Sequence, residues 1–349
     1  MPTHPPIHAL DSYNLALTLL ITIAYQLLGF SIAFTLKFDK LTDFMGGTNF
    51  IWLATITLAM SGATNARQII ASIMIMLWAA RLSGFLLFRI LKTGKDDRFD
   101  DKRDRFFPFL GFWVAQMLWV WIVSLPVTIL NSPAVLRYAQ PKFGRATDII
   151  AIVIYVLALL LESVSDVQKY RFKHSEQGKE PGAVCNVGCF RYSRHPNYFG
   201  EIVVQISIFL IAITPAAYHA LPSHSGAYAA LYSSALGWIT LTLLLLFLSG
   251  LPLQERPGAK KRYENGVGWP AYAQWLNDTS ILIPMPPALW RSLPVWVKRT
   301  VGLEFGMYVF DPARHADAGG VGGREAEEGE GERERGGGGE GRESSEPLR

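Results

Sequence analysis

Long, nearly uncharged runs of hydrophobic residues recur along the chain. Each is long enough to cross the hydrocarbon core of a bilayer as a helix, which takes about 20 residues. The first run is too long for the core of a signal peptide and is not followed by a small-residue cleavage site, so we interpret it as a retained span. The pattern predicts an all-α integral membrane protein with about seven transmembrane helices, at Tyr13–Leu36, Phe44–Ala63, Gln68–Leu91, Phe109–Leu130, Thr147–Val167, Ile202–Leu221 and Gly226–Ser249.

Basic residues are distributed unevenly between these runs. If the loops after the odd-numbered spans are cytoplasmic, the opposite side keeps few cations, namely Arg67, Arg137, Lys142 and Arg145. Cytoplasmic loops of membrane proteins are enriched in Lys and Arg, so this asymmetry predicts an outside N-terminus and a cytoplasmic C-terminus. The loops Thr93–Phe107 and Tyr170–Arg191 are then both expected to face the cytosol.

Composition supports a membrane body followed by a polar tail. Half of the 349 residues are hydrophobic and 18% are charged, with a net charge of +4. From about Ala313 the chain consists mainly of Gly, Glu and Arg, which cannot bury enough apolar surface to order a domain, so we expect a disordered tail. Cys185 and Cys189 lack the partners of a four-ligand zinc site, and we expect reduced thiols and no bound metal. No nucleic-acid partner is expected.

Candidate chemistry begins at the end of the fifth predicted span. If that helix continues out of the membrane, Glu162, Asp166, Lys169 and Lys173 lie on one face at three- and four-residue steps. A solvated helix end with intrahelical ion pairs would explain this spacing. Glu162, however, falls inside an apolar run, where a carboxylate is costly and indicates a functional site.

A second polar segment precedes the sixth predicted span. Pro196 suits the first turn of a helix, which places Arg191, Arg194 and His195 at a helix N-terminus, where backbone N–H groups attract anions. Arginines can grip a phosphate with paired hydrogen bonds. The alternative is a basic membrane anchor with a tyrosine at the interface.

Three further features are less specific. Asn197 and Glu201 lie four residues apart, on one helix face, at the start of an apolar run. The segment Gln254–Trp275 interleaves basic and aromatic residues, which either hold a nucleotide or mark a juxtamembrane basic patch. Arg81 lies within the third predicted span, so we expect it to face the bundle interior and a partner.

Taken together, these segments resemble a known family. The stretches Arg191–Glu201 (RYSRHPNYFGE), Ser165–Lys169 (SDVQK) and Lys261–Tyr272 (KRYENGVGWPAY) are similar to parts of the C-terminal domain of the steroid 5-alpha-reductase superfamily. The resemblance covers about residues 147–287. It is closest to a poorly characterised membrane branch of that superfamily, and the sterol carbon-14 and carbon-7 reductases have similar segments.

The resemblance implies NADPH-dependent reduction of a carbon-carbon double bond in a sterol or other lipid, with the cofactor held between transmembrane helices. The implied catalytic acids are Tyr198, Tyr263 and His195. The implied cofactor-binding residues are Arg81, Glu162, Asp166, Lys169, Lys173, Arg191, Tyr192, Arg194, His195, Asn197, Tyr198, Glu201 and Tyr272. Trp78 stands where the steroid reductases have a substrate-polarising tyrosine, which argues against a steroid 3-ketone as the substrate.

Two other functions remain open. Lipid and isoprenylcysteine methyltransferases have an Arg-His-Pro-x-Tyr-x-Gly core like Arg194–Gly200, and bind S-adenosylmethionine with it and with a motif that Glu255-Arg256 partly imitates. Asn197, Glu201 and the Ser165–Lys169 block favour the reductase over the methyltransferase. A non-enzymatic membrane protein that retains the fold is the third possibility.

The sequence therefore predicts four regions. Residues 1–146 carry the first four transmembrane helices, and residues 147–287 form the reductase-like domain. Residues 288–313 form an interfacial segment, and residues 314–349 form the disordered tail. The family resemblance implies the endoplasmic reticulum membrane, with the active site toward the cytosol.

Overall fold

A computed structural model describes residues 4–38, 41–62, 65–93 and 104–316 of the chain. These residues form helices and connecting segments, and none of them forms a β-strand, which confirms the predicted all-α fold class. Residues 94–103 of the loop Thr93–Phe107, and residues 317–349 of the predicted tail, lie outside the described residues.

The long helices lie at the start and centre of the chain, and the helices toward its end are shorter. In chain order they are α1 (Leu15–Leu36), α2 (Leu41–Ser61), α3 (Ala66–Thr93), α4 (Phe106–Val123), α5 (Leu125–Leu130), α6 (Pro133–Leu136), α7 (Ala146–His174), α8 (Glu176–Lys179), α9 (Pro196–Ala212), α10 (Thr214–Ala217), α11 (Gly226–Ser233), α12 (Leu236–Leu243), α13 (Leu251–Glu264), α14 (Trp269–Asp278), α15 (Pro287–Ser292), α16 (Val295–Arg299) and α17 (Pro312–His315).

Five helices within the described ranges are long and apolar enough to cross a membrane: α1, α3, α4, α7 and the helical succession Gly226–Glu264. They indicate an integral membrane protein. The other two predicted spans are helical but less suited to a crossing. α2 carries Asp43 and Asn49, and α9 ends after 17 residues, just before Pro215. The count of seven spans and the orientation stay predictions.

α7 runs without interruption for 29 residues, well past its apolar part. The helix therefore does continue beyond the predicted span, as the spacing of its charged residues required. Glu162, Asp166, Lys169 and Lys173 all lie on this one helix.

Two structural units make up the chain, and each consists of two segments. The helical unit comprises Met1–Val164 and Asn197–Leu245, and the C-terminal unit comprises Ser165–Pro196 and Leu246–Arg349. The boundaries between the two units fall within α7, after Pro196 and after Leu245. The boundaries of the four regions predicted from the sequence follow the family resemblance instead. The last helix, α17, reaches two residues into the predicted tail.

Aromatic and amide side chains fill the interior of the helical unit. Phe50 meets the rings of Trp78 and Trp119 edge to face at 5.1 Å in both cases. Gln26 donates to the Asn49 side chain at 3.1 Å, and Gln116 donates to Gln26 at 2.9 Å. Where the surroundings are lipid, such amide contacts hold helices together because an unsatisfied polar group has no water to bind.

A second polar contact in this unit is a fully buried ion pair between α3 and α7. The Arg67 guanidinium donates to both carboxylate oxygens of Asp148, at 2.8 and 2.9 Å. Its remaining N–H groups donate to the carbonyls of Pro141 and Lys142 at 3.0 and 3.2 Å. Because both charges are fully paired and hydrogen-bonded, this contact fixes the connection before α7 to the start of α3.

Replacing Asp148 by Asn should destabilise the protein strongly, because it leaves the buried Arg67 cation without a counter-charge. Breaking a buried pair in this way costs roughly 3–5 kcal/mol. The measurement is the melting temperature of the purified protein in detergent. The control is Asp104→Asn, whose carboxylate pairs with Lys37 on the surface with both side chains more than half exposed. Equal melting temperatures for the two variants would contradict the assignment.

Candidate active site

A buried group of charged side chains lies within the C-terminal unit. Arg194 donates from Nη1 to Glu255 at 2.6 Å and from Nη2 to the Glu304 carboxylate. His195 contacts the other Glu255 oxygen through Nε2 at 2.7 Å. Arg299 lies 3.3 Å from the second oxygen of Glu304. We call these five residues, Arg194, His195, Glu255, Arg299 and Glu304, the Arg194 cluster.

Hydrogen bonds between residues 192–194 and a later segment of the chain hold Arg194 in place. The Arg194 N–H donates to the carbonyl of Ser280 at 2.8 Å, and the Ser193 hydroxyl donates to the carbonyl of Leu282 at 2.7 Å. Two residues earlier, the carbonyl of Tyr192 accepts from the N–H of Met285 at 3.0 Å. The segment around Ile281–Pro287, where the prolines predict the end of a helix, therefore forms a brace along the residues that precede α9.

Burial determines the protonation of His195. Removal from water lowers the pKa of His195 below its ordinary value, and the neighbouring Glu255 carboxylate opposes this shift without reversing it. The ring is therefore neutral at pH 7 and donates its Nε2 proton to Glu255, so Nδ1 carries a lone pair. In this state His195 orients Glu255 and has no proton to give from Nδ1, which weakens its predicted role as an acid.

The two arginines of the predicted phosphate grip have different surroundings. Arg194 is buried and bound by two carboxylates. Arg191 is exposed, donates weakly to the carbonyl of Asn186 at 3.4 Å, and lines a separate cleft with Trp275. The structure therefore does not bring the two guanidinium groups together. Tyr192, between them, is also exposed.

Predicted residues of α7 reach the same unit. Lys169 donates to the Gln254 side chain at 3.4 Å and lies 5.9 Å from the centre of the Phe190 ring. Gln168 accepts from the backbone N–H of Cys189 at 2.9 Å, which holds the loop before Arg191 against α7. Lys173 is exposed and Asp166 is partly buried on the same helix.

The two predicted C-terminal tyrosines belong to an aromatic group on α13 and α14. Tyr263 meets the rings of Trp269 and Phe310 at 5.3 and 5.6 Å. Tyr272 lies under the Arg262 guanidinium, 4.4 Å from it. Burial raises the pKa of Tyr272 to about 12. This hydroxyl therefore stays protonated at neutral pH and remains able to donate a hydrogen bond.

In the helical unit, Arg81 is paired with Glu162. Arg81 donates to the Glu162 carboxylate from Nη1 and to its backbone carbonyl from Nη2 at 3.3 Å. The expectation that Arg81 faces a partner is confirmed, and the costly carboxylate in the apolar run is explained by a counter-charge on α3. The pair lowers the cost of burying both groups.

α9 carries the remaining predicted residues, Asn197, Tyr198 and Glu201, all within the helical unit and partly buried. Gly200 explains part of their motif. A Cβ at this position would lie 2.9 Å from both the Ala158 carbonyl and the Glu162 side chain. Any larger residue would push α9 away from α7, so the motif glycine permits close helix packing.

Sequence reasoning missed three residues of the site. Arg299 and Glu304 fall in the segment predicted to be interfacial, and the buried Tyr308 donates its hydroxyl proton to the Leu246 carbonyl. The sequence presents Glu255 only within a basic patch and as part of a methyltransferase-like motif. A signal was present, since Glu304 stands as a lone acid among apolar residues in Val301–Phe310.

The fold and the site thus define an all-helical membrane protein with a buried charged cluster in its C-terminal unit. Residues 29–278 match the profile of a family described as "protein of unknown function (DUF1295)". The chain belongs to this family, which is associated with steroid 5-alpha-reductase-like proteins. No curated protein and no solved structure matches the chain.

Acid should destabilise the protein through His195. Its pKa is lower in the folded than in the unfolded state, so the stabilising effect is complete above about pH 6.5 and is lost as the pH falls below that value. One such group changes the free energy of unfolding by at most about 1.4 kcal/mol per pH unit. The melting temperature should fall between pH 7.5 and 5.5 in the wild type, and this fall should be smaller in His195→Gln. The exposed His174→Gln is the control, and an identical slope in both variants would contradict this assignment.

Proposed function

We propose that this chain is a membrane-bound reductase that uses NADPH to reduce a carbon-carbon double bond in a sterol or another lipid. The family association and the resemblance of Arg191–Glu201 to the steroid 5-alpha-reductase superfamily support the proposal. The five apolar helices agree with a lipid substrate, which would reach the protein from the bilayer. The observation that carries the proposal is the buried Arg194 guanidinium, which borders a cleft lined by aromatic rings.

The residues of the C-terminal unit fit a nucleotide cofactor. Phosphates need cations, and arginine provides paired donors for them. Arg194 and Arg299 border one cleft with Trp269 and Phe310, and Arg191 borders another with Trp275. A nucleotide has both phosphates and planar rings, so arginines could bind its phosphates while neighbouring aromatic side chains stack on its rings. The Nε–H of Arg194 is buried and has no acceptor among the described residues.

When bound, NADPH supplies a hydride for the electron-poor carbon of the double bond. The chain would have to exclude water from the hydride and provide a proton or a hydrogen bond for the substrate. Tyr198 and Tyr263 are the proposed acids. The neutral His195 is better suited to hold Glu255, and Glu255 in turn to hold Arg194, than to transfer a proton.

A methyltransferase is the second candidate, and one contact favours it. Arg194 and His195, which open the Arg-His-Pro-x-Tyr-x-Gly core, both bind Glu255 of the Glu255-Arg256 pair. These are the two motifs that the methyltransferase interpretation requires to act together. S-adenosylmethionine carries an ammonium group that a carboxylate could bind, but it has no phosphate to occupy an arginine.

We also propose that the C-terminal unit faces the cytosol, in the endoplasmic reticulum membrane, because the basic loops favour that side. Cysteine labelling tests the orientation after Cys185 and Cys189 are changed to Ser. A cysteine at Glu180, which is exposed directly after α8, should react in sealed microsomes with an impermeant maleimide. A cysteine at the exposed Lys142 should react only after permeabilisation. The reverse pattern would overturn the orientation.

Binding of NADPH tests the function itself. A ligand that binds only the folded state raises the melting temperature, so NADPH should stabilise the protein in detergent and S-adenosylmethionine should not. Arg194→Lys keeps the charge but loses the guanidinium fork, and should weaken NADPH binding at least about tenfold, the size of one charge-assisted hydrogen bond.

Arg171→Lys, at the exposed end of α7, is the matched control and should bind NADPH like the wild type. Stabilisation by S-adenosylmethionine alone would replace the reductase by the methyltransferase. Stabilisation by neither ligand in well-folded protein would favour a non-enzymatic role.

A further inference from the structure

Glu304 occupies a cleft between two arginines. The cleft has a volume of about 170 Å³ and is bordered by Arg194 and Arg299, with Asn277, Trp269 and Phe310 along its walls. Pockets for whole small molecules usually measure roughly 300–1,000 Å³, so this cleft suits a single charged group. The group that fills the cationic end is the carboxylate of Glu304, supplied by the chain itself.

The segment that carries Glu304 is hydrogen-bonded at both ends. At its near end the N–H groups of Gly302 and Glu304 donate to the carbonyls of Val297 and Lys298 at 2.8 and 3.0 Å. We call residues 300–310 the strap. Arg256 donates to the carbonyls of Val309 and Gly306 at 3.2 and 2.9 Å, and Phe305 stacks on Phe247 at 5.6 Å. The strap lies beyond residues 29–278, which the family profile matches.

Charge explains why the carboxylate sits there. Arg194 is buried and charged, and Glu255 binds it through one oxygen only, because the other oxygen accepts from His195. Glu304 supplies the second anion. The residue before it, Leu303, adopts a left-handed backbone with φ of 60°, a conformation that costs a non-glycine residue roughly 1–2 kcal/mol. This backbone conformation at Leu303 places the Glu304 carboxylate against the two guanidinium groups.

We propose that the Arg194–Arg299 cleft is a binding site for one phosphate group and that Glu304 is the resident anion which that phosphate displaces. The inference rests on the proposed function in taking a nucleotide phosphate as the natural occupant. A terminal phosphate carries a charge of about −1.5 to −2 at pH 7, more than a carboxylate, and presents oxygens to both arginines. On its arrival Glu304 leaves the cleft, and the near end of the strap moves with it.

The test is the affinity for inorganic pyrophosphate and for NADPH in wild type and Glu304→Gln, measured at constant ionic strength. Removing the competing carboxylate should tighten pyrophosphate binding at least about tenfold, because one charge-assisted contact no longer has to be broken. Glu176→Gln is the matched control, since its side chain is 94% exposed in the same unit, and it should bind like the wild type. Unchanged or weaker pyrophosphate binding by Glu304→Gln overturns the inference.

A second measurement uses the wild type alone and does not depend on the folding of a variant. Pyrophosphate should increase hydrogen exchange in residues 300–304, because the carboxylate and its segment are released. Unchanged or reduced exchange in these residues at saturating pyrophosphate overturns the inference.

The two proposals fail in different ways. If Glu304→Gln tightens pyrophosphate but neither protein binds NADPH, the phosphate site stands and the proposed cofactor is wrong. If NADPH binds the wild type and the substitution changes neither affinity, the reductase proposal stands and Glu304 is only a structural partner of Arg194.

Discussion

A buried guanidinium cannot remain without carboxylates, and this constraint organises the C-terminal unit. Arg194 comes from the residues before α9, Glu255 from α13, and Glu304 from the strap. Three distant parts of the chain meet at one cation, and leaving this buried charge unpaired would cost several kcal/mol. His195 shares Glu255 and is neutral, and Arg299 lies beside Glu304, so the two cations and two carboxylates of the Arg194 cluster balance without a surplus charge.

The helical unit obeys the same constraint. Arg67 binds Asp148, and Arg81 binds Glu162, and in both cases α3 supplies the cation and α7 the anion. The two pairs fix the register of these helices at the start and in the middle of α3. Where the surroundings are lipid, there is no alternative partner, so such pairs select one arrangement among the many that apolar side chains alone would permit.

The helices were predictable because lipid demands long apolar runs, and these are visible in the sequence. α1, α3 and α7 therefore lie close to their predicted positions. Contacts between distant residues were not predictable in this way. Arg194 and Glu304 are 110 residues apart, and no local pattern links them. The same limit applies to Arg81 and Glu162, which were singled out separately although they neutralise each other.

The predicted interfacial segment, residues 288–313, shows what local composition leaves out. Tryptophans beside cations are typical of a membrane surface, and Trp296 is indeed exposed. The same segment also carries Trp290, which is buried, and the acid that meets Arg194. Composition averages over both faces of a segment, whereas a site depends on single side chains.

The brace at Ile281–Pro287 has a consequence for how far the chain can shift. Proline lacks an N–H, so in residues 284–287 Met285 is the only one of the four that could donate to the Tyr192 carbonyl. Sliding the segment by one residue in either direction would set a proline opposite that carbonyl. The prolines therefore fix the register of this segment. Side chains in it can be exchanged, but an insertion or deletion would carry Ser280 and Leu282 away from the residues that they hold.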